Sequence, residues 1–141
     1  MIMKRYCQTL TLVDDEALIA KYVEAHAHVR PEVIAGQREV GILQMQIYRH
    51  GRTLFMIMDT VDDFDFERDM ARLAGLPRQA EWEAYVSQFQ GCSASASSAD
   101  KWQLMEKIFD SEGFRSYNVR CENYNPALYG LHVCYSSSQL I

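Results

Sequence analysis

The chain is poor in the features that define several large protein classes. No apolar run approaches the roughly 18–20 residues needed to span a bilayer, so no membrane association is expected. The opening residues, Met1 to Tyr6, lack the apolar segment of a signal peptide, and the expected location is the cytoplasm. The four cysteines, Cys7, Cys92, Cys121 and Cys134, form no CxxC pair and no zinc-ligand spacing. Nothing in their placement requires disulfides, and Cys7, inside an apolar alternation, is expected to be a buried thiol. There is no glycine-rich phosphate loop, no Gly-x-Ser-x-Gly and no dinucleotide fingerprint. Basic residues are also in deficit, 14 Lys+Arg against 19 Asp+Glu, for a formal net charge of −5. That balance argues against non-specific binding to nucleic acid or an anionic membrane, both of which need a basic surface.

What is present is an ordinary globular composition: 141 residues, 48% hydrophobic and 23% charged, enough for one modest core. Residues 4–13 alternate, with Tyr6, Gln8, Leu10 and Leu12 on one side, and read as a strand. Asp14-Asp15-Glu16 then opens a helix, with acids where the N-terminal dipole favours them. Leu18, Tyr22 and His26 follow at i, i+4 and i+8 and share a face. Pro31 suits the first turn of a second helix, which runs to Val40, and Gly41 is its stop. Residues 42–49 and 53–60 alternate again around the His50-Gly51-Arg52 turn and read as an antiparallel hairpin. In the first of these strands Ile42, Gln44, Gln46 and Tyr48 fall on one face and Leu43, Met45 and Ile47 on the other. A helical region beginning at Asp62 is interrupted by Pro77 and resumes over residues 79–89. Residues 101–109 alternate as a fourth strand. The order βαββαβ predicts an α+β, ferredoxin-like antiparallel sheet with helices on one face. The other face then needs cover, and a homodimer of the dimeric α+β barrel type supplies it. Residues 111–141 carry five aromatics and five serines without a period of 2 or 3.6, and their charges cancel. We therefore divide the chain into a domain over residues 1–110 and a C-terminal extension, residues 111–141.

Few residues are equipped for chemistry. Tyr22 and His26 stand one helical turn apart, about 6 Å along the axis, and can touch one small ligand. Histidine titrates near neutrality and both gives and takes protons there. The competing reading makes Tyr22 a core residue and His26 a helix-end histidine. His26 and His28 diverge on a helix, so a metal site is not expected. Trp82, on an amphipathic helix, is either a core residue or an apolar platform with an N–H donor. Trp102 is expected to be structural. The six acids from Asp59 to Asp69 lack the spacing and turn glycine of a calcium loop and read as a solvated helix start.

Taken together, several stretches resemble the L-rhamnose mutarotase family. They are Arg5-Tyr6-Cys7, then Tyr-x3-His-x4-Pro-Glu from Tyr22 to Glu32, Gly41, Ile47-Tyr48-Arg49, Leu54-Phe55-Met56, Trp82, Trp102 and Glu106-Lys107-Ile108-Phe109. The resemblance covers residues 4–110 in order and spacing. It implies a dimeric α+β fold and a cofactor-free enzyme that interconverts the anomers of a monosaccharide. It carries His26 over as proton donor and Tyr22 and Trp82 as sugar-contacting residues. Met45 stands where the rhamnose-type pattern has a tyrosine, and Glu81 stands where it has the first of two tryptophans. The segments Met45 to Arg49 and Leu54 to Met58 are more similar to the L-fucose branch of the family. In the implied reaction His26 protonates the ring oxygen on opening and removes that proton on closure, Tyr22 positions a hydroxyl, Trp82 carries the sugar's apolar face and Met45 meets the C6 methyl. Glu32, Glu81 or water are the candidates for a complementary base. The rival classes are a non-catalytic small-ligand-binding dimer and a monooxygenase on a similar fold.

Overall fold

The computed structural model describes residues 3–92, 96–111 and 119–121. Strand β1 (Met3–Thr11) leads into helices α1 (Glu16–Ala27) and α2 (Pro31–Glu39). The hairpin β2 (Ile42–His50) and β3 (Thr53–Val61) follows, then α3 (Phe66–Ala74), α4 (Gln79–Gln90) and the single turn α5 (Ser98–Lys101). Two short strands, β4 (Gln103–Leu104) and β5 (Val119–Cys121), complete the order. The sheet runs β2-β3-β1-β4, antiparallel throughout, and β5 pairs in parallel with Met3–Arg5 of β1. This is the ferredoxin-like order expected from the sequence, with each crossover helix divided near a proline.

The division of faces follows from the period of 2. Tyr6, Gln8 and Leu10 of β1 and Leu54, Met56 and Met58 of β3 point to the helices and are buried, together with Phe64, Val86 and Phe89 from the helical layer. Cys7 lies on the opposite face and is only half-buried, contrary to the expected core thiol. In β2 the simple alternation fails. A bulge between Ile42 and Gln44 turns Ile42 inward while Met45 and Ile47 still reach the core, and Leu43 is left exposed.

Local chemistry sets the helix boundaries. Asp15 caps α1 by accepting from the Leu18 N–H at 3.0 Å, and Asp65 caps α3 through the Arg68 N–H at 2.8 Å. Gly41 closes α2 with φ +101°, and a Cβ there would stand 2.7 Å from Val61 Cγ2, so only glycine fits. Arg78 takes a left-handed φ of 68° and swings the chain into α4.

The expected fourth strand is present but far shorter than residues 101–109. Ser97 and Asp100 build a reciprocal cap that nucleates α5, so Lys101 is helical, and only Gln103–Leu104 pairs with β1 as a strand. One further bond, from Met105 N–H to the Cys7 carbonyl at 2.8 Å, extends that contact. Of the C-terminal extension, only Ser111 and Val119–Cys121 fall among the described residues.

Candidate active site

A cavity of about 460 Å³ lies between the helical layer and the sheet. That is within the roughly 300–1,000 Å³ of small-molecule sites. Tyr22, His26, Met45 and Trp82, the four residues singled out from the sequence, all line it. Each comes from a different constraint. Tyr22 is anchored on the buried face of α1, and His26 follows one turn later at the helix end. Met45 reaches in from β2 just beyond the bulge. Trp82 stands in the first turn of α4.

The three rings form a continuous wall. Tyr22 and His26 have centroids 4.3 Å apart, and His26 meets Trp82 edge-on at 5.2 Å. His26 Nδ1 lies 2.8 Å from the Tyr22 carbonyl oxygen. A carbonyl has no proton to give, so Nδ1–H donates and the neutral ring carries its lone pair on Nε2. Burial lowers the His26 pKa below its ordinary value, opposed by the Tyr22 carbonyl and the Glu83 charge. The imidazole is therefore mainly neutral at pH 7, with one nitrogen committed to the backbone and one available for proton exchange. Burial acts in the other direction on Tyr22, raising its phenol to about 12 against the Gln90 side chain, with Glu83 adding to the rise. Tyr22 remains a hydrogen-bond donor at any physiological pH.

Sequence reasoning missed a second set of lining residues: Gln37, Gln79, Glu83, Gln90 and Trp102. Gln79 donates from Nε2 to the Val33 carbonyl at 2.9 Å and ties α4 to α2. Gln90 Nε2 stands 3.5 Å from the Tyr22 hydroxyl, while its buried Oε1 has no partner among the described residues. Lys101 meets Glu83 at 2.7 Å beside the cavity. Trp102, expected to be structural, is both buried and part of the cavity wall. Gln79, Glu83, Val86 and Gln90 recur at helical spacing on α4, a signal available in the sequence but overshadowed by Trp82. The proposed partner Glu81 does not reach this space. It is exposed, paired with Arg30 at 3.3 Å and Arg78 at 2.8 Å, and faces a neighbouring pocket on the other side of Trp82. Glu32 is likewise not among the lining residues. Among the described residues no group of His, Cys, Asp and Glu is arranged to hold a metal ion.

Comparison with known proteins identifies the family. The sequence pattern described as L-rhamnose mutarotase matches residues 5–111. The chain belongs to the L-rhamnose mutarotase family. Its activity is accordingly the interconversion of sugar anomers, an isomerase reaction. One relative, an L-fucose mutarotase of Xanthomonas campestris pv. campestris, is 40% identical over 111 residues, 77% of this chain and 89% of its own. A Dictyostelium discoideum protein of the UPF0734 group is 31% identical over 116 residues, 79% of this chain and 93% of its own. The crystal structure of an L-rhamnose mutarotase from Formosa agariphila superposes with a TM-score of 0.57 at 16% identity, over 75% of this chain and 96% of that one. At that identity the likeness speaks for the mutarotase fold. The match begins in β1 and ends just past residue 110, so it contains every element that lines the cavity.

Proposed function

We propose that the substrate is a free 6-deoxy-hexose, L-fucose ahead of L-rhamnose, and that His26 moves the proton. The observation that carries this is the convergence of Tyr22, His26, Met45 and Trp82 on one cavity. The preference for L-fucose is supported by the 40% identical relative and by Met45, an apolar, adaptable side chain where a C6 methyl can pack.

The geometry favours a single shuttling base. The anomeric oxygen and the ring oxygen are both bonded to C1, so one Nε2 can serve both. On opening, neutral His26 takes the anomeric hydroxyl proton, the bond between C1 and the ring oxygen breaks, and the departing ring oxygen receives that proton from the imidazolium. Rotation about C1–C2 presents the other carbonyl face. On closure Nε2 removes the proton from the C5 hydroxyl, that oxygen attacks C1, and the anomeric oxygen takes the proton back. No proton is gained or lost over the cycle. The Tyr22 phenol donates a hydrogen bond to the sugar, and the Trp82 indole supplies an apolar platform beside His26.

Saturation-transfer proton NMR with L-fucose and L-rhamnose side by side tests the reading. Protein-dependent transfer between anomeric protons, faster for L-fucose, is expected. Absence of transfer with both sugars would leave a non-catalytic binding role.

The working unit in this proposal is a cytoplasmic homodimer formed through the sheet face that no helix covers among the described residues. Tyr48, Phe55 and Thr9 stand in register across three strands on that face. Tyr48 is 56% exposed, an expensive position for a large aromatic unless a partner covers it.

A further inference from the structure

Lys101 has a side chain with no solvent exposure, and among the described residues its ammonium is partnered by Glu83 alone. It donates to the Glu83 carbonyl at 2.8 Å and to Glu83 Oε2 at 2.7 Å. Burying an ammonium this completely is costly, and truncating either partner strands the other charge. The arrangement has a direct consequence for the cavity. Lys101 is not among the lining residues, whereas Glu83 is. The lysine thus holds one carboxylate oxygen from behind and leaves Oε1 without a protein hydrogen bond among the described residues. Seven residues along the same helix, Gln90 Oε1 is a buried acceptor without a donor among the described residues. Glu83, Val86 and Gln90 share the face of α4 turned to the cavity. This wall therefore offers acceptors, and a ligand satisfies it by bringing hydroxyl donors.

We propose that Glu83, anchored through one oxygen by Lys101, accepts a hydrogen bond from a ring hydroxyl of the sugar and so helps determine which sugar the mutarotase accepts. The inference rests on the mutarotase reading of the cavity and adds to it a contact beyond Tyr22, His26, Met45 and Trp82. A carboxylate fixed in this way favours an uncharged sugar and disfavours one carrying a carboxylate or phosphate. It also discriminates between a sugar with the matching hydroxyl and one without it, because a bound sugar that covers the carboxylate without donating to it leaves that acceptor unpaired.

The test compares wild type with Glu83→Gln on the faster of the two sugars and on its 2-, 3- and 4-deoxy analogues, reading KM and kcat of anomer exchange by NMR. Glutamine keeps an oxygen for Lys101 and replaces the free acceptor with a donor. The expected result is a KM raised roughly 10- to 100-fold with a smaller change in kcat, as for loss of a hydrogen bond to a charged group. In wild type one deoxy analogue suffers a penalty of similar size, and Glu83→Gln adds little further loss for that analogue alone. If Glu83→Gln does not fold by circular dichroism, the neutral pair Glu83→Gln with Lys101→Gln takes its place, and the analogue series in wild type stands independently. Wild-type exchange with a KM that Glu83→Gln leaves within about threefold, or analogue penalties equal in both proteins, overturns the contact while leaving the mutarotase reading intact. Absence of exchange in wild type itself overturns both.

Discussion

The two nitrogens of His26 have separate tasks, and much of the site's behaviour follows from that division. Nδ1 is fixed to the Tyr22 carbonyl in either charge state, so every proton that moves must do so at Nε2. His26→Asn should therefore cost roughly 10²- to 10⁴-fold in exchange rate with the fold intact, the contribution of a positioned acid–base group. Burial lowers the His26 pKa, and the active form is the neutral base. Exchange should then be fastest where the ring is neutral and fall on acidification, at a lower pH than for an ordinary histidine, as Nε2 becomes protonated. A rate that climbs steadily on acidification through pH 6.5 would mean that imidazolium starts the reaction. Tyr22→Phe should keep the ring wall but remove a donor and leave Gln90 poorer in partners, lowering kcat/KM about tenfold and stability by about 1 kcal/mol, read by NMR and thermal melting. Tyr22 and His26 were visible in the sequence because i and i+4 on an amphipathic helix share a face. Glu83 was overlooked despite its helical spacing with Gln79, Val86 and Gln90, since a carboxylate next to a tryptophan reads as the solvated side of the helix until the position of Lys101 is known.

At the scale of elements, the site depends on how closely α4 approaches α2. Gly36 permits that approach: a Cβ there would lie 2.5 Å from Gln79 Nε2, which is buried and bonded to Val33. Gly36→Ala should displace Gln79, destabilise the protein by about 1–3 kcal/mol and weaken sugar binding, measured by melting and by KM. The start of α3 is held by a buried carboxylate. Asp69 is 2% exposed and accepts from Arg68, from Arg72 at 2.9 Å and from the Asp65 N–H at 2.8 Å. Arg68 above all, with Asp65 and Arg72, holds its carboxyl far below the usual carboxylate range against the opposing effect of burial. The stability this adds is present above the ordinary aspartate value near 3.9 and is lost as pH falls toward the depressed folded value. Asp69→Asn should lower stability at pH 7 and flatten the acid limb of a denaturation series. The helices were legible from caps and prolines, as at Asp15 and Pro31. The extent of the fourth strand was not, because residues 101–109 alternate like a strand while the Ser97–Asp100 cap and the burial of Lys101 and Trp102 fix where pairing begins.

For the whole molecule, strand order and layer arrangement were readable because alternation and helix signals follow one another in a simple βαββαβ order. The bulge at Ile42–Gln44, which brings Ile42, Met45 and Ile47 to the same side, depends on pairing partners that periodicity alone does not reveal. On the outer sheet face, Tyr48→Asp should shift the protein from dimer toward monomer in sedimentation velocity while leaving the circular dichroism spectrum unchanged. A wild-type monomer at micromolar concentration would contradict the proposed assembly. The central claim, that this cavity interconverts sugar anomers through His26, is tested most directly by saturation-transfer NMR on L-fucose with wild type and His26→Asn at equal concentration. The account predicts rapid transfer between the anomeric protons with wild type and near-background transfer with the folded variant. Equal transfer with both proteins would contradict it.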